Sequence, residues 1–175
     1  MPLPVVPDPN TAPAVMPDPH AALAAVPDPH AALAGRPDLA DLAAVASHAR
    51  ARAYAPYSGF LVGAALRGRS GRVYTGVNVE NASFPVSICA ERAALVHAVS
   101  EGERSFDEIA VATDAREPAA PCGLCRQMLA EFGLDLEVTV VGAQGVAWRR
   151  PLGELLPHAF TPGSFEPRPA RLAPT

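Results

Sequence analysis

Apolar and polar positions along the chain alternate with two different periods, and the change between them marks out the elements. Leu39, Leu42, Val45 and Ala46 recur at helical spacing, so a helix is predicted from a cap at Asp38 to about Ala53. Phe60–Leu66 and Val73–Asn78 are short runs with the apolar content of strands. The stretch RGRSGR between them supplies Gly68 and Gly71 for a hairpin. Ala90–Ser100 is apolar almost all round, as a buried helix is. Ile109–Thr113 and Val138–Val141 read as strands, and Gly123–Phe132 reads as a helix ended by Gly133. Gly142 and Gly145 turn the chain toward VAWRR, and LGELLPHAF gives a short last helix. Helices that alternate with strands predict a layered α/β domain with a mixed sheet.

Residues 1–37 follow another rule. Pro-Asp recurs at 7, 17, 27 and 37, a period of ten, and half of the 20 prolines lie in this segment. Proline has no amide donor and turns the preceding residue away from helical conformation, so an extended, disordered tail is expected. His20 and His30 within it read as solvated rather than metal-binding. The expected organisation is this tail, a folded domain over 38–163 and a proline-rich tail over 164–175.

Composition removes several functions. Formal net charge is −4, and no basic run or stripe is present, which argues against a nucleic-acid polymer as partner. No apolar stretch reaches the roughly 18–20 residues that a membrane helix needs. The first residues lack the basic and then apolar regions of a secretion signal, and a cytoplasmic protein is expected.

The chain holds three cysteines, Cys89, Cys122 and Cys125. Cys-x-x-Cys at 122–125 fits either a zinc ligand pair or a redox pair. Cys89 shifts the balance. Both Cys89 and Cys122 stand where a predicted helix begins, and helix N-termini favour the thiolate that zinc requires. His97 lies two turns into an apolar helix and reads as a packed residue, so no fourth protein ligand is evident. Three ligands with one position left to water is the pattern of a catalytic zinc site. Glu91, two residues beyond Cys89, is then placed to act as general base and general acid.

Cys89-Ala90-Glu91-Arg92 followed by Pro121-Cys122-Gly123-Leu124-Cys125-Arg126-Gln127 resembles the small homotetrameric zinc-dependent cytidine deaminases. AYAPYSGFLVGAAL (53–66), NVENASFP (78–85) and ELLPHAF (154–160) extend the resemblance from about residue 39 to 162. It implies a three-layer α/β/α fold with a mixed, roughly five-stranded sheet. It implies one Zn²⁺ per subunit on Cys89, Cys122 and Cys125, with Glu91 as the proton shuttle. By position, Asn78 and Glu80 would bind the ribose hydroxyls, Phe60 would pack on the pyrimidine, and the Ala90 backbone would read the base amide edge. Phe160 would reach the site of a neighbouring subunit in a homotetramer. Arg92 is the expected support for the ligand thiolates, because three of them with Zn²⁺ leave a net charge of −1.

The implied reaction is hydrolytic deamination of cytidine and deoxycytidine in pyrimidine salvage. A deaminase of another aminopyrimidine nucleoside and a non-catalytic zinc module are the alternatives. Phe84 and Gly59 depart from the family pattern, which often has Tyr at the first place and a larger residue at the second.

Overall fold

A computed structural model of the protein describes residues 42–164. The expectations for the 1–37 repeats, for the Asp38 cap, for His20 and His30, and for the tail beyond Ser164 fall outside these residues. The elements in chain order are α1 (Leu42–Arg50), β1 (Gly63–Gly68), β2 (Val73–Val77), α2 (Ala90–Ser100), β3 (Phe106–Ala112), α3 (Gly123–Ala130), β4 (Glu137–Gly142), β5 (Gly145–Pro151) and α4 (Leu152–Leu155). Single 3₁₀ turns occur at Phe84–Val86 and Pro162–Ser164.

The five strands form one mixed sheet in the order β2-β1-β3-β4-β5. β3 and β4 are parallel, and the other neighbours are antiparallel. Period-two alternation in β1 and β3 divides the core. Ala64, Leu66, Ile109 and Val111 face α2 and Leu129 of α3. Ala65, Ala110 and Ala112 face Leu42, Val45 and Ala46 of α1. The result is the expected three-layer α/β/α arrangement.

Small residues set how closely the layers approach. A Cβ at Gly76 of β2 would collide with the Ala94 amide and the Ala90 carbonyl, so glycine lets the first turns of α2 rest on the strand backbone. This contact fixes the height of the α2 N-terminus over the sheet, and with it the position of Cys89.

Several expected boundaries move for physical reasons. α2 spans the expected residues. The first strand begins at Gly63 rather than Phe60, because the Asn78 side chain rather than a strand partner takes the Phe60 carbonyl. β3 begins three residues early, at Phe106, where Asp107 and Glu108 break the apolar run but not the strand. VAWRR lies within a full edge strand, β5, whose side chains are mostly exposed. The last helix shrinks to one turn, and the chain stops being helical before Pro157.

Candidate metal centre

Two helices begin at the same place. Cys89 is the N-cap of α2 and Cys122 is the N-cap of α3, both with extended backbone. Cys125 lies in the first turn of α3, where it is fully buried. The three sulfurs lie within 4.8 Å of one another. Sγ of Cys122 is 4.0 Å from that of Cys89 and 3.4 Å from that of Cys125. Ligands at about 2.3 Å around tetrahedral zinc stand about 3.8 Å apart, so this donor set fits Zn²⁺ with one position over. His97 is no part of the cluster. Its Nδ1 lies 3.1 Å from the Thr75 carbonyl oxygen, and its ring meets Tyr74 edge-on.

The electrostatics prepare the cluster for a cation. A hydrogen bond from the Cys125 thiol, together with Arg92 and Cys122, outweighs burial and brings the Cys89 thiol down to about 5. Cys125 is pushed the other way, because it donates to Cys89 and is buried beside it and Glu91. The cysteines thus share protons by hydrogen bonding, and those protons must leave for all three sulfurs to ligate a metal.

Arg92 projects from the first turn of α2. Its Nη2 donates to the Ser87 carbonyl at 2.9 Å and to the Cys89 sulfur at 3.9 Å. Its Nε is buried with no hydrogen-bond partner. Glu91 is 5% exposed. Burial raises its carboxyl pKa, the Cys89 charge adds to the rise, and hydrogen bonds from its own amide and from Cys125 oppose it. A carboxylate held this way is easier to protonate than one in water.

A cavity of about 260 Å³ opens beside Cys89, lined by residues that include Phe60, Asn78, Glu80, Val111 and Thr113. Asn78 accepts from the Val62 amide at 2.8 Å and donates to the Phe60 carbonyl at 2.8 Å. Glu80 accepts from the Tyr57 amide at 2.9 Å, from the Ser58 amide at 3.2 Å and from the Ser58 hydroxyl. Ala90 is buried at the start of α2. Phe160 lies 56% exposed, and Gln127 of α3 grips its backbone at both N–H and C=O.

Four residues were not singled out from the sequence. Arg126 donates to the carbonyls of Pro121 and Leu155, and so ties the start of α3 to α4. Gln127 holds Phe160, and Ser58 holds Glu80. Thr113 carries a buried hydroxyl with no hydrogen-bond partner at the cavity wall. Arg126 and Gln127 stand inside the PCGLCRQ motif, which was their one sequence signal.

Comparison with known proteins agrees with this geometry. Residues 38–142 match the family model described as the cytidine and deoxycytidylate deaminase zinc-binding region. The cytidine deaminase of Sporosarcina psychrophila is 43% identical over 125 residues, 71% of this chain and 92% of that protein. The cytidine deaminase of Halalkalibacterium halodurans is 49% identical over 117 residues, 66% of this chain and 89% of the relative. The crystal structure of cytidine deaminase from Burkholderia pseudomallei superposes with a TM-score of 0.66 at 48% identity, covering 68% of this chain and 96% of the other.

Proposed function

The chain belongs to the family of zinc-binding cytidine and deoxycytidylate deaminases, and from that premise we propose that it converts cytidine and deoxycytidine to uridine and deoxyuridine. The reaction consumes one water and releases one ammonia, and it serves pyrimidine salvage. The observation that carries the reading is the convergence of three sulfurs within 4.8 Å beside a buried carboxyl.

Cys89, Cys122 and Cys125 hold one Zn²⁺. When bound, the metal supplies the Lewis-acid polarisation that makes water a competent nucleophile near neutral pH. Glu91 would take one proton from the water that attacks C4 and deliver it to ring N3, then take the second from the new C4 hydroxyl and give it to the amine as the C4–N bond breaks. Its raised pKa suits a group that must both accept and return a proton. Arg92 offsets the surplus negative charge of three thiolates through its contact with Cys89. The positive ends of α2 and α3 act in the same direction.

Phe60 packs against the pyrimidine, the Ala90 backbone reads the base amide edge, and Asn78 and Glu80 bind the sugar hydroxyls. Phe60, Asn78 and Glu80 line the cavity beside Cys89, which supports this assignment. Phe160 completes the pocket of a neighbouring copy in a homotetramer; its exposure, and that of Leu124 on the same side of α3 as Gln127, supports this. Thiolate ligands suit a reducing compartment, and the cytoplasm is the proposed location.

The test is a nucleoside panel on the purified protein with zinc measured in the same sample. Loss of the cytidine absorbance band with equimolar ammonia is expected. A zinc-loaded protein that leaves cytidine and deoxycytidine unchanged overturns the proposal.

A further inference from the structure

We propose that Ser58 is a positioning residue for the sugar of the substrate: its hydroxyl joins Glu80 to Phe60 and holds both in place for the nucleoside. The inference rests on the reading that Glu80 and Phe60 line a nucleoside pocket. The loop between Tyr54 and Val62 is anchored at its ends by backbone. Tyr54 donates its amide to Asn78 and accepts from Glu80, and Val62 accepts from Asn78. Between those anchors, one backbone bond, from the Gly59 amide to the Ala55 carbonyl at 2.9 Å, and several side-chain bonds hold it.

The Ser58 hydroxyl works in both directions. It accepts the Phe60 amide proton at 3.0 Å and donates its own proton to Glu80 Oε1. Asn78 takes the Phe60 carbonyl on the other side. Phe60 is therefore gripped at both its N–H and its C=O. Gly59 permits the tight turn that brings the Ser58 oxygen onto the Phe60 amide, because its φ of +67° is one that side-chain-bearing residues rarely adopt.

Glu80 receives three donors from this loop, two amides and one hydroxyl. A carboxylate offers about four lone-pair sites, which leaves about one for a hydroxyl of the ligand. Removing the Ser58 hydroxyl frees Oε1 to turn, and it releases the Phe60 amide at the same time. An alanine keeps the fold of an exposed loop but supplies neither bond, whereas threonine supplies both.

The experiment compares cytidine with 2′,3′-dideoxycytidine on the full zinc-loaded chain. Ser58→Ala is expected to raise KM for cytidine about tenfold, with kcat within about twofold, as for an interaction made equally in ground and transition states. KM for 2′,3′-dideoxycytidine, which lacks both secondary hydroxyls and keeps only the contact with Phe60, is expected to rise by no more than about threefold. Ser58→Thr is expected to restore the cytidine value. An unchanged KM for cytidine in Ser58→Ala, or an equal rise with both nucleosides, overturns the role of Ser58 and leaves the deaminase reading intact. Failure of the unsubstituted protein to turn over cytidine marks failure of that reading instead.

Discussion

The Arg92 guanidinium lies 3.9 Å from the Cys89 sulfur, and its second anchor is the Ser87 carbonyl just before that cysteine. One cation thus holds both a ligand atom and the backbone that leads into it. Arg92→Ala removes the charge and the anchor together. Partners of this kind contribute about 10- to 100-fold to metal affinity. Competition with a fluorescent chelator is expected to show zinc bound at least about tenfold more weakly. Equal retention removes the role assigned to Arg92.

Glu91 is buried next to Cys89 and Cys125 but is not one of the three sulfur donors. Glu91→Gln keeps the shape and loses the proton carrier. Zinc content is expected to stay at one per chain while turnover falls by about 10²–10⁴-fold. Metal analysis and steady-state rates on the same preparation check this. Normal turnover contradicts the proton-shuttle assignment.

Gly76 links the sheet to the metal centre. Its Cα lies where α2 crosses β2, and an added methyl meets the backbone of Ala90 and Ala94. Gly76→Ala is expected to destabilise the fold by about 1–3 kcal/mol in urea titration, the usual cost of overpacking. Zinc affinity is expected to fall as well, because the displaced helix carries Cys89. A stability and affinity both equal to wild type show that the strand and helix are not in tight contact.

Much of the fold and the sulfur cluster is legible in the residues. α2 is legible with its observed limits because the apolar run starts after the loop that leads to Cys89 and ends at Glu101-Gly102. The sulfur cluster is legible because two cysteines fall at helix starts. Polar atoms that replace regular pairing left no such trace. Asn78 occupies the Phe60 carbonyl, and no periodicity marks that exchange. β5 is not legible as a strand, because its exposed side chains, Arg149 and Arg150 among them, lack the apolar signature of a buried strand. Arg149 instead reaches back to Thr139 and Glu108, contacts that bring together residues distant along the chain.

Glu80 gives the protein an acid-sensitive loop. The hydrogen bond from the Ser58 hydroxyl is the largest influence on its pKa; burial opposes it, the Tyr57 and Ser58 amides add to it, and the carboxyl is held below the ordinary value. A depressed folded-state pKa stabilises the fold above the unfolded-state pKa, and the benefit is lost as pH falls through the folded-state value. The melting temperature of wild type is expected to exceed that of Glu80→Gln at pH 7. The difference is expected to shrink as the pH drops below about 4. A difference that stays constant through the acid range contradicts this role for the ionised carboxylate.

Cys89, Cys122 and Cys125 are proposed to bind one zinc ion with no other side chain. Zinc X-ray absorption on the purified, unsubstituted protein measures this directly. One zinc per chain is expected, with three sulfurs at about 2.3 Å and a single oxygen scatterer. Fewer than three sulfurs, or the scattering signature of a histidine ring, contradicts it.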